Sequence, residues 1–178
     1  MTATEAYDSV TNGGANDFAA AVAILEKNPP WCLIGGLAIN CYVEPVYTLA
    51  ADIVVFTKHL AAIKARLLAE KFSIEEFPYS MNARRGRGKL NIQFTTDPRY
   101  QDFVLRAAPA EVLGQRVPVA KLADLVRGKL WAWSDKKRRL SKRKKDELDL
   151  IRLGEAFPEL RAEMPSEIAA QLAENDEA

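Results

Sequence analysis

The chain has 178 residues, is 48% hydrophobic and 28% charged, and carries 25 Lys+Arg against 24 Asp+Glu. That size suits one domain, or two small ones packed together, and excludes a disordered or collagen-like chain. One His and two Cys cannot fill a closed Cys/His zinc site, which needs about four N or S ligands, and no G-x-S-x-G elbow accompanies His59. Any metal chemistry must therefore use oxygen ligands, which favour magnesium or manganese.

Residues 1–15 are polar and Gly-rich and read as a loose leader. Asn16 or Asp17 can cap a helix running to Lys27, with Phe18, Val22 and Leu25 on one stripe, and Asn28-Pro29-Pro30 stops it. Trp31 to Ile34 is a short apolar strand, Gly35-Gly36 a tight turn, and Leu37 to Tyr42 opens a helix. Ala51 to Phe56 is a β-branched apolar run and reads as a buried strand. Lys58 to Lys71 has helical spacing; Phe72 to Phe77 and Lys89 to Phe94 read as strands. Between those strands, Arg84-Arg85-Gly86-Arg87-Gly88-Lys89 is a basic glycine turn, either an exposed hairpin or an anion contact.

From Tyr100 onward helical periodicity dominates, which places a boundary near Asp97-Pro98 between an α/β part (16–98) and a mainly helical part (99–178). A small hairpin is expected over Glu111 to Val119, and helices over Lys121 to Trp133, Leu140 to Phe157 and Ser166 to Leu172, ahead of an acidic tail from Glu174. Trp131 and Trp133 lie two apart, so only one need face the core; the other can stack on a base.

The N-terminus, Met1-Thr2-Ala3-Thr4-Glu5, has neither the basic region nor the apolar core of a signal peptide. The longest apolar run, Trp31 to Val43, falls short of the ~20 residues of a membrane helix. Cys32 and Cys41 in that run read as buried free thiols of a cytoplasmic protein.

Charge is concentrated in one place. Lys136, Lys137, Arg138, Arg139, Lys142, Arg143, Lys144 and Lys145 form a basic run; without them 17 cations face 24 acids. Such asymmetry points to an anionic partner, against the plainer reading of a solvated helix face.

The stretch richest in chemistry is Leu33-Ile34-Gly35-Gly36-Leu37-Ala38 followed by Thr48-Leu49-Ala50-Ala51-Asp52-Ile53-Val54-Val55. Paired glycines between a strand and a helix let the backbone approach a phosphate, although such turns are often purely steric. An acid on an apolar strand is costly unless it is paired or holds a metal. Residues two apart on a strand share a face, so positions 50 and 52 project together. Two carboxylates there would hold two divalent cations about 3.5–4 Å apart for in-line phosphoryl transfer. Position 50, however, is Ala.

These residues resemble the nucleotidyltransferase superfamily of the polymerase β type, and within it the AbiE-type toxin and minimal nucleotidyltransferase group. The family pattern is a hydrophobic residue, Gly, then Gly or Ser, and after a gap Asp-x-Asp or Asp-x-Glu on a strand. Ile34-Gly35-Gly36 fits its first part, and the Asp-x-Asp slot falls on Ala50-Ala51-Asp52. Either this is a naturally degenerate transferase or Ala50 is an inactivating substitution; the well-kept surroundings favour the latter. A third acid common in the superfamily is missing from Lys89 to Phe94, where Asn91 and Gln93 occupy the polar face.

The resemblance extends to the helices. AbiE-type toxins carry a Lys on one helix and a Lys-Asp-x-x-Asp stretch on the next, matched by Gly128-Lys129-Leu130 and by Lys145-Asp146-Glu147-Leu148-Asp149. It implies an α+β fold, a nucleotidyltransferase-like mixed sheet flanked by helices and followed by a helical C-terminal part. It also implies metal-dependent transfer of an NMP from an NTP (ATP or GTP) to an RNA, possibly tRNA, or to a protein hydroxyl, in a toxin–antitoxin or phage-defence setting with a cognate antitoxin as partner. Gly35 and Gly36 would hold phosphates, Asp52 the Mg²⁺ or Mn²⁺, and Lys129 the triphosphate. Asp146 and Asp149, on one helix face, would orient Lys129, face the nucleotide or act as a base, and the basic run would take RNA. With Ala50 in the first acid position, the chain would be impaired as an enzyme. The alternative is a catalytically dead module that senses a nucleotide or binds RNA.

Overall fold

The computed structural model describes residues 1–177. Eight α-helices and seven strands follow one another: α1 (Ala3–Thr11), α2 (Gly14–Leu25), β1 (Trp31–Ile34), α3 (Gly35–Ile39), β2 (Ala50–Val55), α4 (Thr57–Ala69), β3 (Phe72–Phe77), β4 (Ser80–Arg85), β5 (Asn91–Thr95), α5 (Phe103–Arg106), β6 (Ala108–Val112), β7 (Gln115–Val119), α6 (Leu122–Ser134), α7 (Leu140–Ala156) and α8 (Ser166–Asp176). All the strands join one sheet in the order β3-β4-β5-β2-β1-β7-β6. The β1–β7 and β2–β5 pairs are parallel and the rest antiparallel. This is the α+β architecture with a mixed sheet and C-terminal helices expected from the sequence.

Directly opposed residues share a sheet face. One face carries Leu33, Ile53, Phe94 and Met81 in a row, with Ala51, Ile92 and Ala83 beside them, all fully buried. Phe18, Val22 and Leu25 of α2 and Ile63 and Leu67 of α4 belong to the same core. The other face carries the row Ile34, Asp52, Gln93 and Asn82. The sheet is thus apolar on one side and polar on the other at its centre, and the polar side is where chemistry can happen.

The structure corrects several expectations. Residues 3–11 are helical, not a loose leader. Thr2 Oγ1 accepts from Glu5 N (3.1 Å) and Glu5 Oε2 accepts from Thr2 N (2.6 Å), a capping box. Tyr7 Oη ties this helix to Thr48 O (2.8 Å), and Asn12 Nδ2 reaches Arg87 O (3.0 Å). The next helix starts at Gly14, and Asp17, rather than capping it, is buried against Arg85 Nε (2.8 Å). The first two residues of the basic turn are strand β4: Arg85 lies over the Phe72 ring and Arg84 donates to Asn91 (3.1 Å). The small hairpin, β6–β7, lies beyond the expected boundary at Asp97-Pro98 yet joins the sheet of the preceding part through Leu33 opposite Val119. Cys32 is buried but Cys41 is exposed, because α3 ends before it. The acidic tail is helical through Asp176. No helix among the described residues is long and apolar enough to cross a membrane.

Candidate active site

Strand β1 ends at Ile34 and the backbone turns at Gly35 with φ +73°. An L side chain there would be strained, and it would also have no room: a Cβ would overlap Asp52 Oδ2 and stand 3.0 Å from its Cγ. The glycine turn and the strand acid are therefore in direct apposition. Gly36 is under no such constraint, since a Cβ there would meet the Thr48 side chain only at ordinary distances, 3.6 Å to Oγ1 and beyond.

Asp52 sits between Ile34 of β1 and Gln93 of β5. Burial pushes its carboxyl above the ordinary value, opposed by the nearby cations Lys129, Arg138 and Lys142 and reinforced by Asp146. Ala50, two residues earlier on the same face, is opposite Asn91. The positions where a second and a third acid would stand thus present a methyl and an amide.

Helix α6 brings Lys129 over this face, and α7 brings Asp146 and Asp149 to it. Lys129 Nζ donates to Asp146 Oδ1 (2.9 Å) and to Asp149 Oδ2 (2.8 Å). Burial works against the ammonium, but Asp149 and Asp146 outweigh it and hold the pKa above the ordinary value. Asp146 also accepts from Arg138 Nε (2.9 Å), so a residue of the basic run reaches in from the α6–α7 connection. The i and i+3 spacing of the two acids does put both on one buried face, where each accepts from Lys129.

Gly35, Asp52, Gln93, Lys129, Arg138 and Asp146 line one cavity of about 250 Å³, whereas Gly36, Ala50, Asn91 and Asp149 do not line it. Ile34, Gly35, Asp52 and Gln93 form one wall, and Gly128, Lys129, Arg138 and Asp146 form the facing one. Tyr79, Ser80, Thr95, Asp97 and Arg99 lie along it, with Tyr100 and Phe103 beyond. Tyr100 is held edge-on to Trp131 and Phe103, with ring centroids 5.1 and 5.2 Å away, and Trp131 stacks on Phe103. Gly128 leaves room for the Tyr100 ring, which a Cβ would approach at 3.1 Å.

The donor set bears on metal binding. Among the described residues no three His, Cys, Asp or Glu side chains group in a way that could hold a metal ion. Asp52, with the Gln93 amide opposite it, offers a single charged oxygen donor on this part of the sheet face. It does not suit a two-metal clamp, which requires further carboxylates.

The remaining sequence candidates are dispersed. Lys136, Lys137, Arg139, Lys142, Lys144 and Lys145 are exposed; Lys144 pairs with Glu147 (3.0 Å) and Arg143 donates to Trp133 O (3.1 Å). Trp131 and Trp133 are half-buried, and Trp133 Nε1 donates to Glu147 (3.2 Å). His59 Nδ1 lies against Asn28 O (3.1 Å), away from the cavity. Arg84, Arg85, Arg87 and Lys89 do not line it either. Sequence reasoning missed Tyr79, Asp97, Arg99 and Tyr100, which carry no motif, and assigned Arg138 only to RNA binding.

No family model matches the chain, and no curated protein is detectably similar in sequence. Solved structures are similar in fold. The antibiotic-resistance factor ANT(2'')-Ia superposes with a TM-score of 0.59 at 17% identity, over 94% of this chain and 100% of that one. The lincosamide antibiotic adenylyltransferase LnuA, lincomycin-bound, gives 0.53 at 11% identity, over 78% and 94%. An antigenic nucleotidyltransferase-like protein from Paracoccidioides brasiliensis gives 0.50 at 18%, over 76% and 73%. The chain therefore has a nucleotidyltransferase-like fold, with its polar cleft between the glycine turn and the C-terminal helices.

Proposed function

We propose that the cleft binds an NTP with one divalent cation and is the site of nucleotidyl transfer in a protein of this type, held back in the present chain by Ala50. The observation that carries this reading is the apposition of Gly35 and Asp52 across one cavity from Lys129. In the reaction an acceptor hydroxyl oxygen bonds to the α-phosphorus of the NTP as its proton passes to water, the bond to the β-phosphate oxygen breaks, and pyrophosphate leaves. Lys129, kept charged by its two carboxylates, meets the triphosphate; the turn at Gly35 lets the backbone approach a phosphate; and Asp52 holds the cation. Mg²⁺ or Mn²⁺, when bound, neutralises charge that develops on the phosphates.

The charge arrangement favours a polyanionic acceptor such as RNA, possibly tRNA. Three cleft acids already hold cations: Asp97 with Arg99, Asp124 with Arg106 and Arg127, and Asp146 with Lys129 and Arg138. A polycationic acceptor would find these sites taken, whereas a phosphate backbone would meet the exposed basic run at the rim. The AbiE-type resemblance adds a cytoplasmic toxin–antitoxin or phage-defence setting, with a cognate antitoxin as partner.

The test is Ala50→Asp with Mg²⁺, labelled NTPs and total RNA. Transfer of label to RNA above the level of the unaltered chain is expected; a folded Ala50→Asp protein that binds NTP without transferring label would overturn the catalytic reading. That outcome would select the second reading, a nucleotide-sensing module, which is favoured by the methyl of Ala50 and the amide of Asn91 where catalytic carboxylates would stand. Salt-dependent RNA binding with no nucleotide effect would instead select a simple RNA-binding module.

A further inference from the structure

We propose that Arg152 is a positioning residue that couples Lys129 to the segment joining the glycine turn to the acid-bearing strand. The inference rests on reading Lys129 as the cation that meets the triphosphate.

Asp149 is one carboxylate shared by two cations. Its Oδ2 accepts from Lys129 Nζ and its Oδ1 from Arg152 Nη1, each at 2.8 Å. The other end of the Arg152 fork leaves the helix: Nη2 donates to Asn40 Oδ1 (3.2 Å) and to the Glu44 carbonyl. Asn40 closes the same loop on itself, donating from Nδ2 to Val46 O (2.8 Å) and accepting from Val46 N at Oδ1 (3.1 Å). This loop runs from α3, which begins at Gly35, to β2, which carries Asp52. A chain of contacts therefore passes from Lys129 through Asp149 and Arg152 to the connection between the two remaining parts of the site.

An i, i+3 ion pair on a helix surface would contribute only a few tenths of a kcal/mol and position nothing. Arg152 differs in two respects. Its side chain is only 12% exposed, and its partners in the loop lie 112 and 108 residues away in sequence. The planar fork of donors is what spans a carboxylate on one side and two oxygens on the other; the single ammonium of lysine cannot do both.

The experiment compares the unaltered chain with Arg152→Met, Arg152→Lys and Asn40→Ala. Amide hydrogen exchange over 40–46, the NMR signal of the Lys129 ammonium, and titration with MgATP and MgGTP are measured. In Arg152→Met, exchange over 40–46 rises and affinity for the nucleotide that binds falls about tenfold, the size of effect seen when outer partners of a site residue are lost. The Lys variant keeps the ammonium signal but not the slow exchange. Asn40→Ala, which leaves the Lys129–Asp149 pair intact, reproduces the fast exchange and decides the matter should Arg152→Met fail to fold. A lower melting temperature with unchanged exchange, unchanged ammonium signal and unchanged affinity would overturn the proposal and leave Arg152 merely structural. If the unaltered chain binds neither nucleotide, the reading of Lys129 fails, while exchange and the ammonium signal still judge the coupling.

Discussion

Gly35 and Asp52 leave no space between them for a side chain, and the turn at Gly35 has a positive φ. Both costs fall on Gly35→Ala: backbone strain on the order of 1–3 kcal/mol, and displacement of the carboxylate. We expect a lower melting temperature and loss of MgNTP binding. Gly36→Ala is the control. Gly36 lies in α3 with only ordinary contacts, so the change should be neutral or stabilising by up to about 1 kcal/mol. Equal losses in the two variants by thermal unfolding would contradict the geometry.

Asp52 exchanges stability for function. Because burial raises its folded pKa, its contribution is fully favourable below the unfolded value of 3.8 and is lost as pH rises through the folded value. Asp52→Asn, an isostere of the protonated form, should be more stable than the unaltered chain at neutral pH by about 1 kcal/mol, with the difference vanishing in acid. The same variant should lose cation-dependent NTP binding. Denaturant melts at several pH values with and without Mg²⁺ would show this; a variant less stable at neutral pH would argue against it.

Lys129 and Arg138 both pair with Asp146 but should differ in weight. The Lys129 side chain is 14% exposed and that of Arg138 40%. Lys129→Met leaves two buried carboxylates short of a partner, a loss of about 3 kcal/mol. Arg138→Met removes a rim pair contributing at most about 1 kcal/mol. Chemical denaturation of the two variants in parallel tests the order, and comparable losses would show that the α6–α7 network is not centred on Lys129.

Much of this site was legible because its physics is local. The strand–glycine–helix transition at Ile34-Gly35-Gly36, the acid on an apolar strand at Asp52, and the i, i+3 acids of α7 each announce themselves within a few residues. Strand β4 did not, because only Met81 and Ala83 face the core while Asn82 and Arg84 point the other way; two small alternations beside Gly86 read as a turn. Helix α1 had a readable signal in its Thr2–Glu5 capping box, masked by the polar composition around it. Arg152 was beyond reach, since its partners at Asn40 and Glu44 are brought to it only by the fold.

The two cysteines separate by environment. Burial, with Asp124 adding to it, pushes the Cys32 thiol up to about 12, and burial with Tyr47 pushes Tyr7 up to about 12 as well. Both groups stay neutral in the folded chain at pH values where the unfolded chain ionises them. Their contributions are therefore intact below about 9 for Cys32 and 10 for Tyr7 and are lost as pH rises toward 12. Stability should fall across that alkaline window. At pH 8, iodoacetamide should modify Cys41 in the native protein and Cys32 only after unfolding; native labelling of Cys32 would mean that β1 opens far more easily than its burial implies.

The basic run can be tested apart from the chemistry. Of its eight cations, Arg138 and Arg143 are engaged with Asp146 and the Trp133 carbonyl, and Lys144 with Glu147. Lys136, Lys137, Arg139, Lys142 and Lys145 remain exposed for a phosphate backbone. Each contact to single-stranded RNA should add about 0.7 to the negative slope of log affinity against log salt. Changing Lys136, Lys137 and Lys145 to Gln should therefore flatten the slope by about 2, while MgNTP binding in the cleft stays as it was. A slope that does not move would take RNA off this rim, because counterion release scales with the number of phosphates neutralised whatever the sequence bound.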